Sequence, residues 1–159
     1  MSTLPGIVPA APQDTEAVRA LFRDYQQSLG ISLCFQNFET ELATLPGRYA
    51  PPHGEILLAR DAQGPVGCVA MRPLDQPGVC EMKRLFVRPQ AQGTGLGRAL
   101  ARAVVAAARA AGYRVMRLDT LPSMGRAIAL YESLGFRDIP PYCANPHEGV
   151  RYLELDLTT

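Results

Sequence analysis

The sequence holds one lysine, Lys83, among its sixteen basic residues, and two histidines, His53 and His147. Its four cysteines, Cys34, Cys68, Cys80 and Cys143, are scattered, with no C-x-x-C pair. So few imidazoles and no paired thiols leave no zinc-site pattern, and no metal is expected. Cys68 and Cys80 fall inside apolar strand segments, where a buried reduced thiol is the expectation. No apolar stretch approaches the ~18 residues a membrane span needs. No basic N-terminal segment leads into an apolar run, so no signal peptide is expected, and the cytoplasm follows by default. The net charge is +1, with no excess to draw the surface to nucleic acid or membrane.

What is present suits one compact unit. The chain has 159 residues, 47% of them hydrophobic, enough for a single domain over 1–159 with a sizeable core. No repeat, low-complexity tract or linker marks a boundary.

Taken in order, Gly6 to Ala10 is a short strand that Pro9 confines to a sheet edge. Asp14 stands as the cap of a helix with Val18, Leu21, Phe22, Tyr25 and Leu29 at helical spacing, stopped by Gly30. Asn37 caps a shorter helix carrying Phe38, Leu42 and Leu45. Glu55 to Arg60 and Val66 to Met71 read as strands joined by a turn at Asp61-Ala62-Gln63-Gly64. Val79 to Val87 is the next strand. Leu96 to Ala111 is a strong helix, with Leu96, Leu100, Ala103, Val104, Ala107 and Ala111 forming its apolar stripe. Val115 to Thr120 is a strand. Ser123 is expected to cap a helix with Ala127, Leu130, Tyr131 and Leu134. Phe136 opens a last hairpin, Pro140 to Gly149 is a long loop, and Val150 to Leu157 is the closing strand. A strand, crossover helix and adjacent strand should be parallel and right-handed.

Between Val87 and the strong helix lies Gln92-Gly93-Thr94-Gly95-Leu96-Gly97-Arg98. Glycines allow positive φ and close approach to a ligand. The unpaired amides and dipole of a helix start favour an anion there. The dinucleotide pattern G-x-G-x-x-G requires glycine where Arg98 stands, and the P-loop pattern G-x-x-x-x-G-K-[ST] is absent. The segment therefore reads as a phosphate cradle of another kind.

The run Gln92-x-x-Gly95-x-Gly97 resembles the pyrophosphate loop of the GCN5-related N-acetyltransferase (GNAT) superfamily. About thirty residues on, Ala127-Ile128-Ala129-Leu130-Tyr131-Glu132-Ser133-Leu134-Gly135-Phe136 resembles the A-x-x-L-Y-x-x-L-G-F ending of the same superfamily. The likeness is strongest from Glu81 to Phe136. It implies an α/β fold with a mixed, centrally twisted sheet, antiparallel N-terminal strands, a parallel β-α-β cofactor unit and helices on both faces. It also implies acetyl-CoA as cofactor and acetyl transfer to a primary amine by direct attack on the thioester. By the same likeness, the backbone of Leu85, Phe86 and Val87 would pair with the pantetheine arm. The amides of Gln92, Gly93, Thr94, Gly95, Leu96 and Gly97, with Arg98, would hold the pyrophosphate. One departure stands out: where many relatives carry a cofactor-contacting Asn, this chain has Met124.

Acetyl transfer needs a proton acceptor, a donor to the carbonyl oxygen and help for the departing thiolate. Glu81 is the candidate base, and strand alternation would set Glu81, Lys83, Leu85 and Val87 on one face. Tyr131 is the candidate acid, at a place where the family often has tyrosine. Phe35, Tyr142 and Asn145 are candidates for the acceptor wall, and the stiff loop Pro140 to Pro146 suits a formed wall. The expected acceptor is a small metabolite or amino acid amine. A homodimer is common in such folds, though no interface is legible. The rival readings are a non-catalytic acyl-CoA-binding module and a nucleotide-binding domain.

Overall fold

The computed structural model describes residues 4–30 and 37–159. The elements run β1 (Gly6–Pro9), α1 (Thr15–Leu29), α2 (Phe38–Ala43), β2 (Glu55–Asp61), β3 (Gly64–Pro73), β4 (Val79–Val87), α3 (Leu96–Ala110), β5 (Val115–Thr120), α4 (Gly125–Ser133), β6 (Arg137–Asp138) and β7 (Arg151–Asp156). Among the described residues they build one seven-stranded sheet in the order β1-β2-β3-β4-β5-β7-β6. Every pairing is antiparallel except β4 with β5. Those two strands are joined by α3, as a crossover connection requires. Pro9, which lacks an amide proton, does sit on the edge strand.

Local chemistry accounts for most boundaries. Asp61 pairs with Gly64 across a two-residue turn, and the Gln63 amide donates to the Asp61 side chain at 2.8 Å. α1 buries Val18, Leu21 and Phe22 and ends at Gly30 with φ +69°. Asp14 precedes it, but its carboxylate accepts from the Ala11 amide and pairs with Arg60 instead of capping the helix. α4 starts later than Ser123 suggests. The Met124 amide donates to the Leu121 carbonyl, closing a turn, and Met124 takes the cap position without a side-chain cap bond.

Apolar side chains form two clusters, one on each face of the sheet. α1 and α2 cover Ile56, Leu58, Cys68, Ala70 and Phe86. α3 and α4 cover Leu57, Val69, Met71, Met82, Met116 and Leu118. The buried side of α3 is Leu96, Leu100, Ala101, Val104, Val105 and Ala108, so it is turned from the expected stripe and Ala111 is exposed. α3 lies close against the strands: a Cβ added at Gly67 would stand 3.1 Å from the Leu100 side chain.

One irregularity decides where the site forms. Cys68 faces Phe86 and Ala70 faces Lys83, so the single residue Val69 on β3 stands against Arg84 and Leu85 on β4. This is a bulge, and Arg84 has φ +62°. It breaks the expected alternation. Glu81 and Lys83 lie on the α1–α2 side with Phe86, while Leu85 and Val87 pack on the α3 side. The extra residue flips every side chain beyond it.

Candidate functional site

β4 and β5 pair only from Val79–Val115 to Glu81–Arg117. Beyond that point the bulge turns β4 away and the two strands part. The Arg88 amide donates to the Val66 carbonyl. By alternation, the backbone groups of Phe86 belong to the β3 ladder, while those of Leu85 and Val87 face the open side. That edge fits an extended amide-bearing arm, because a strand edge left open by its neighbour offers backbone donors and acceptors.

The open edge leads to the glycine loop. The Gln92 side chain donates to the Val87 carbonyl at 3.0 Å, and the Thr94 hydroxyl donates to the Ala91 carbonyl at 2.6 Å. These two bonds fold the loop back on the strand end. Gly93 and Gly95 have φ +77° and +88°, and a Cβ at either would meet open space. The helix α3 then begins with the Ala99 amide bonded to the Gly95 carbonyl. The amides before it have no intrahelical acceptor and bear the positive end of the dipole. Arg98 is exposed beside them. Leu85, Phe86, Val87, Gln92, Gly93 and Gly97 line a cleft of about 300 Å³, closed on its far side by Met124, Arg126, Ala127 and Leu130 of the α4 region. The open strand edge at Leu85 and Val87, running to a cationic glycine cradle, fits the arm and diphosphate of CoA. When bound, acetyl-CoA supplies the activated acyl group.

Tyr25, Leu85 and Met124 also border a second, smaller pocket, of about 40 Å³, where the strands part. Its lining includes Lys83, Leu118, Asp119, Tyr131 and Asn145. Tyr131 is 6% exposed, with its ring 5.8 Å from that of Phe136. Burial pushes its phenol above the ordinary tyrosine value, aided by Tyr25 and Asp119. It stays protonated and able to donate through the neutral range.

Glu81 is 2% exposed and fully engaged. Its Oε1 accepts from Arg72 Nε at 3.0 Å and lies 3.7 Å from Lys83 Nζ; its Oε2 accepts from the Tyr142 hydroxyl at 2.6 Å. It stands behind the pocket and does not line it. The carboxylate on the pocket wall is Asp119. Asp119 Oδ1 lies 3.8 Å from Lys83 Nζ, and Oδ2 accepts from Asn145 Nδ2 at 3.1 Å. Burial lowers the Lys83 pKa against the opposing pull of Glu81 and Asp119.

The loop after β6 forms the outer wall. The Tyr142 ring packs edge-on to Tyr152 at 5.6 Å and lies beneath the Arg117 guanidinium at 5.7 Å. Asn145 bonds Asp119 through its amide and accepts from the His147 amide at 3.0 Å. The Tyr152 hydroxyl donates to the Cys143 carbonyl at 3.2 Å. Tyr142 and Asn145 thus converge on the two carboxylates. Phe35 lies outside the described residues.

Sequence reasoning did not single out Asp119 or Arg126, which line the two pockets, but it did set Lys83 on one face with Glu81, and the two lie 3.7 Å apart. One signal for Asp119 was available: an acidic residue at the carboxyl end of a parallel strand beside a crossover, where open α/β sheets bind ligands. Among the described residues, no helix is long and apolar enough to cross a membrane.

The model of the acetyltransferase (GNAT) family matches residues 16–136. An uncharacterized N-acetyltransferase of Schizosaccharomyces pombe is 43% identical over 148 residues, spanning 92% of this chain and 91% of that protein. A Klebsiella pneumoniae structure assigned as an acyl-CoA N-acyltransferase is 30% identical, with TM-score 0.70 and coverage of 96% and 97%. The fold is also that of the Salmonella typhimurium protein yncA, assigned as an acetyltransferase and solved with its cofactor acetyl-CoA, at 21% identity, TM-score 0.71 and coverage of 99% and 96%. With the parted strands, the glycine cradle and these relatives together, the chain belongs to the GNAT family and is an acetyl-CoA-dependent N-acetyltransferase.

Proposed function

We propose that the enzyme acetylates the primary amine of a small metabolite or amino acid, by direct attack on the thioester. The observation that carries this reading is the small pocket between the parted strands, with Asp119 and Asn145 bonded to each other on its wall and Tyr142 bonded to Glu81 behind it. A carboxylate in so confined a pocket suits one ammonium group, and the bonded wall leaves little room for a bulky chain.

In this reading Leu85 and Val87 offer backbone groups to the pantetheine arm, and Phe86 adds apolar wall. Gln92 shapes the cradle, the amides of Gly93, Thr94, Gly95, Leu96 and Gly97 face the pyrophosphate, and Arg98 and Arg126 add positive charge. Asp119 receives the acceptor ammonium and takes up its proton. Glu81 holds Tyr142 and Lys83 in place and sets the negative field behind Asp119. Tyr131 donates a proton to the leaving thiolate. Holding both reactants in one geometry supplies much of the remaining acceleration. Phe35 stays a candidate for the acceptor wall.

The test is a screen of small amines and short peptides, with release of free CoA thiol as readout. Turnover of a small amine, with a raised KM for it in Asp119→Asn, is the expected result. Turnover confined to peptides would overturn the small-acceptor reading.

A further inference from the structure

We propose that Lys83, the chain's only lysine, is itself an acetyl acceptor, modified by the enzyme's own acetyl-CoA. The proposal rests on the reading of the parted strands as the transfer site, and it names a second substrate for that site: a side chain of the protein.

The placement of the amine carries the inference. A pocket that receives an acceptor ammonium should set carboxylates around it. Here Glu81 and Asp119 already stand around an amine of the chain, at 3.7 and 3.8 Å from Nζ. Both separations exceed hydrogen-bond length, so the amine is attracted but not locked. The same pocket is lined by Leu85, on the open edge of β4, and by Tyr131. The Lys83 side chain is 5% exposed, so bulk water and soluble reagents have little access to it. An acyl group delivered along β4 reaches it from inside.

The surroundings make the proton on Lys83 easier to remove than in water. Burial lowers the Lys83 pKa from 10.5, Glu81 and Asp119 oppose this, and Arg84 and Arg72 add to the lowering. Tyr25 of α1 and Asn145 of the outer loop share the pocket without formal charge. Cys143, whose thiol is pushed up to about 11 by burial, with Asp119 and Glu81 adding to the rise, also faces Asp119.

In the step, the Nζ lone pair of Lys83 attacks the thioester carbonyl carbon. The N–C bond forms as the C–S bond breaks, and the electron pair leaves with sulfur. Asp119 takes the Nζ proton, and Tyr131 protonates the thiolate. One acetyl-CoA is consumed and one CoA thiol is released. The amide product has no charge, so Glu81 and Asp119 lose their shared cation and the acetyl group fills the pocket. Acceptor turnover should stop in the modified molecules. An acceptor amine in the pocket would shield Lys83, so the modification acts as a brake when acceptor is scarce.

The experiment incubates purified protein with acetyl-CoA, without acceptor, and follows intact mass and a peptide map. Calorimetric titration with acetyl-CoA runs in parallel. The expected result is one acetyl group on the Lys83 peptide, absent in Lys83→Arg, with a rate that rises with pH and levels off below pH 10.5. Gly95→Glu and urea-unfolded protein should gain none at that site. Equal labelling in either of those would mean plain chemical acetylation and overturn the proposal. Binding of acetyl-CoA and turnover of an amine with Lys83 unmodified would overturn it while leaving the proposed function intact. Failure to bind acetyl-CoA would end both.

Discussion

Arg84 and Glu41, 43 positions apart, close a two-bond fork, with Nε to Oε2 and Nη2 to Oε1 both at 2.9 Å. The guanidinium also lies 5.1 Å from the Phe38 ring centre and 5.8 Å from that of Tyr25. One residue therefore ties α1 and α2 to the bulge of β4. Arg84 holds a left-handed backbone conformation that costs an L residue roughly 1–2 kcal/mol. The fork and the two rings hold it there, and the parting of β4 from β5 follows.

Breaking this fork should cost more than an ordinary ion pair. The side chains are 2% and 11% exposed, and an orphaned buried charge costs about 3–5 kcal/mol. Glu41→Ala should lose that much stability in urea unfolding. Acetyl-CoA affinity should fall as well, because the bulge shapes the open edge. A stability loss under ~1 kcal/mol would show that the fork is not holding the bulge.

Gly95 should separate backbone strain from charge. A Cβ meets nothing within 4 Å, and φ is +88°, so Gly95→Ala should lose only about 1–2 kcal/mol of stability. Gly95→Glu puts a carboxylate beside the expected diphosphate. At 4 Å near a surface, one like-charge pair costs about 4 kcal/mol, several hundred-fold in Kd by roughly 1.4 kcal/mol per decade. Calorimetric titration of the folded variants with acetyl-CoA checks both.

Tyr131→Phe should keep its packing on Phe136 and bind acetyl-CoA as the wild type does. Turnover should fall on the order of 10²–10⁴-fold if the hydroxyl protonates the thiolate. The phenol pKa is raised above 10.0 by burial, so wild-type activity should show no loss from Tyr131 ionisation up to that pH. Steady-state kinetics on both proteins from pH 6 to 10 would decide it.

The two carboxylates should respond differently. Glu81 has Arg72, Lys83 and Tyr142 around it, so Glu81→Gln should mainly lower stability, by roughly 3–5 kcal/mol. Asp119→Asn should raise the acceptor KM with the acetyl-CoA Kd unchanged. Urea unfolding and a KM-against-kcat comparison distinguish them; equal KM effects would return Glu81 to the pocket.

Lys83 should leave a mark on stability between its lowered native pKa and 10.5. In that window the unfolded chain binds the proton that the native state has released, so the Lys83 contribution to stability rises with pH. Buried Cys68 and Cys80, both pushed up to about 12 by burial, act in the opposite sense above 9.0. The difference between wild type and Lys83→Met cancels those thiols. Denaturant unfolding at neutral and alkaline pH should show wild type gaining on the variant as pH rises.

The sequence by itself determined the order of elements, the Ala62-Gln63 turn, the glycine loop and the Tyr131 helix. Each depends on local chemistry: apolar spacing, glycine at positive φ, proline at an edge. Even there, the caps at Asp14 and Ser123 failed, because Arg60 captured one carboxylate and a turn at Leu121 delayed the other helix. Only the tertiary structure decided the site. Nothing in the residue type of Arg84 favours a left-handed backbone; Glu41 and two aromatic rings, far off in sequence, impose it. That one bulge reversed the face of Leu85, opened β4 from β5, and left Asp119 on the pocket wall with Glu81 behind it. Strand periodicity cannot carry such information, because an extra residue in a bulge is set by long-range contacts and changes which face every later side chain meets.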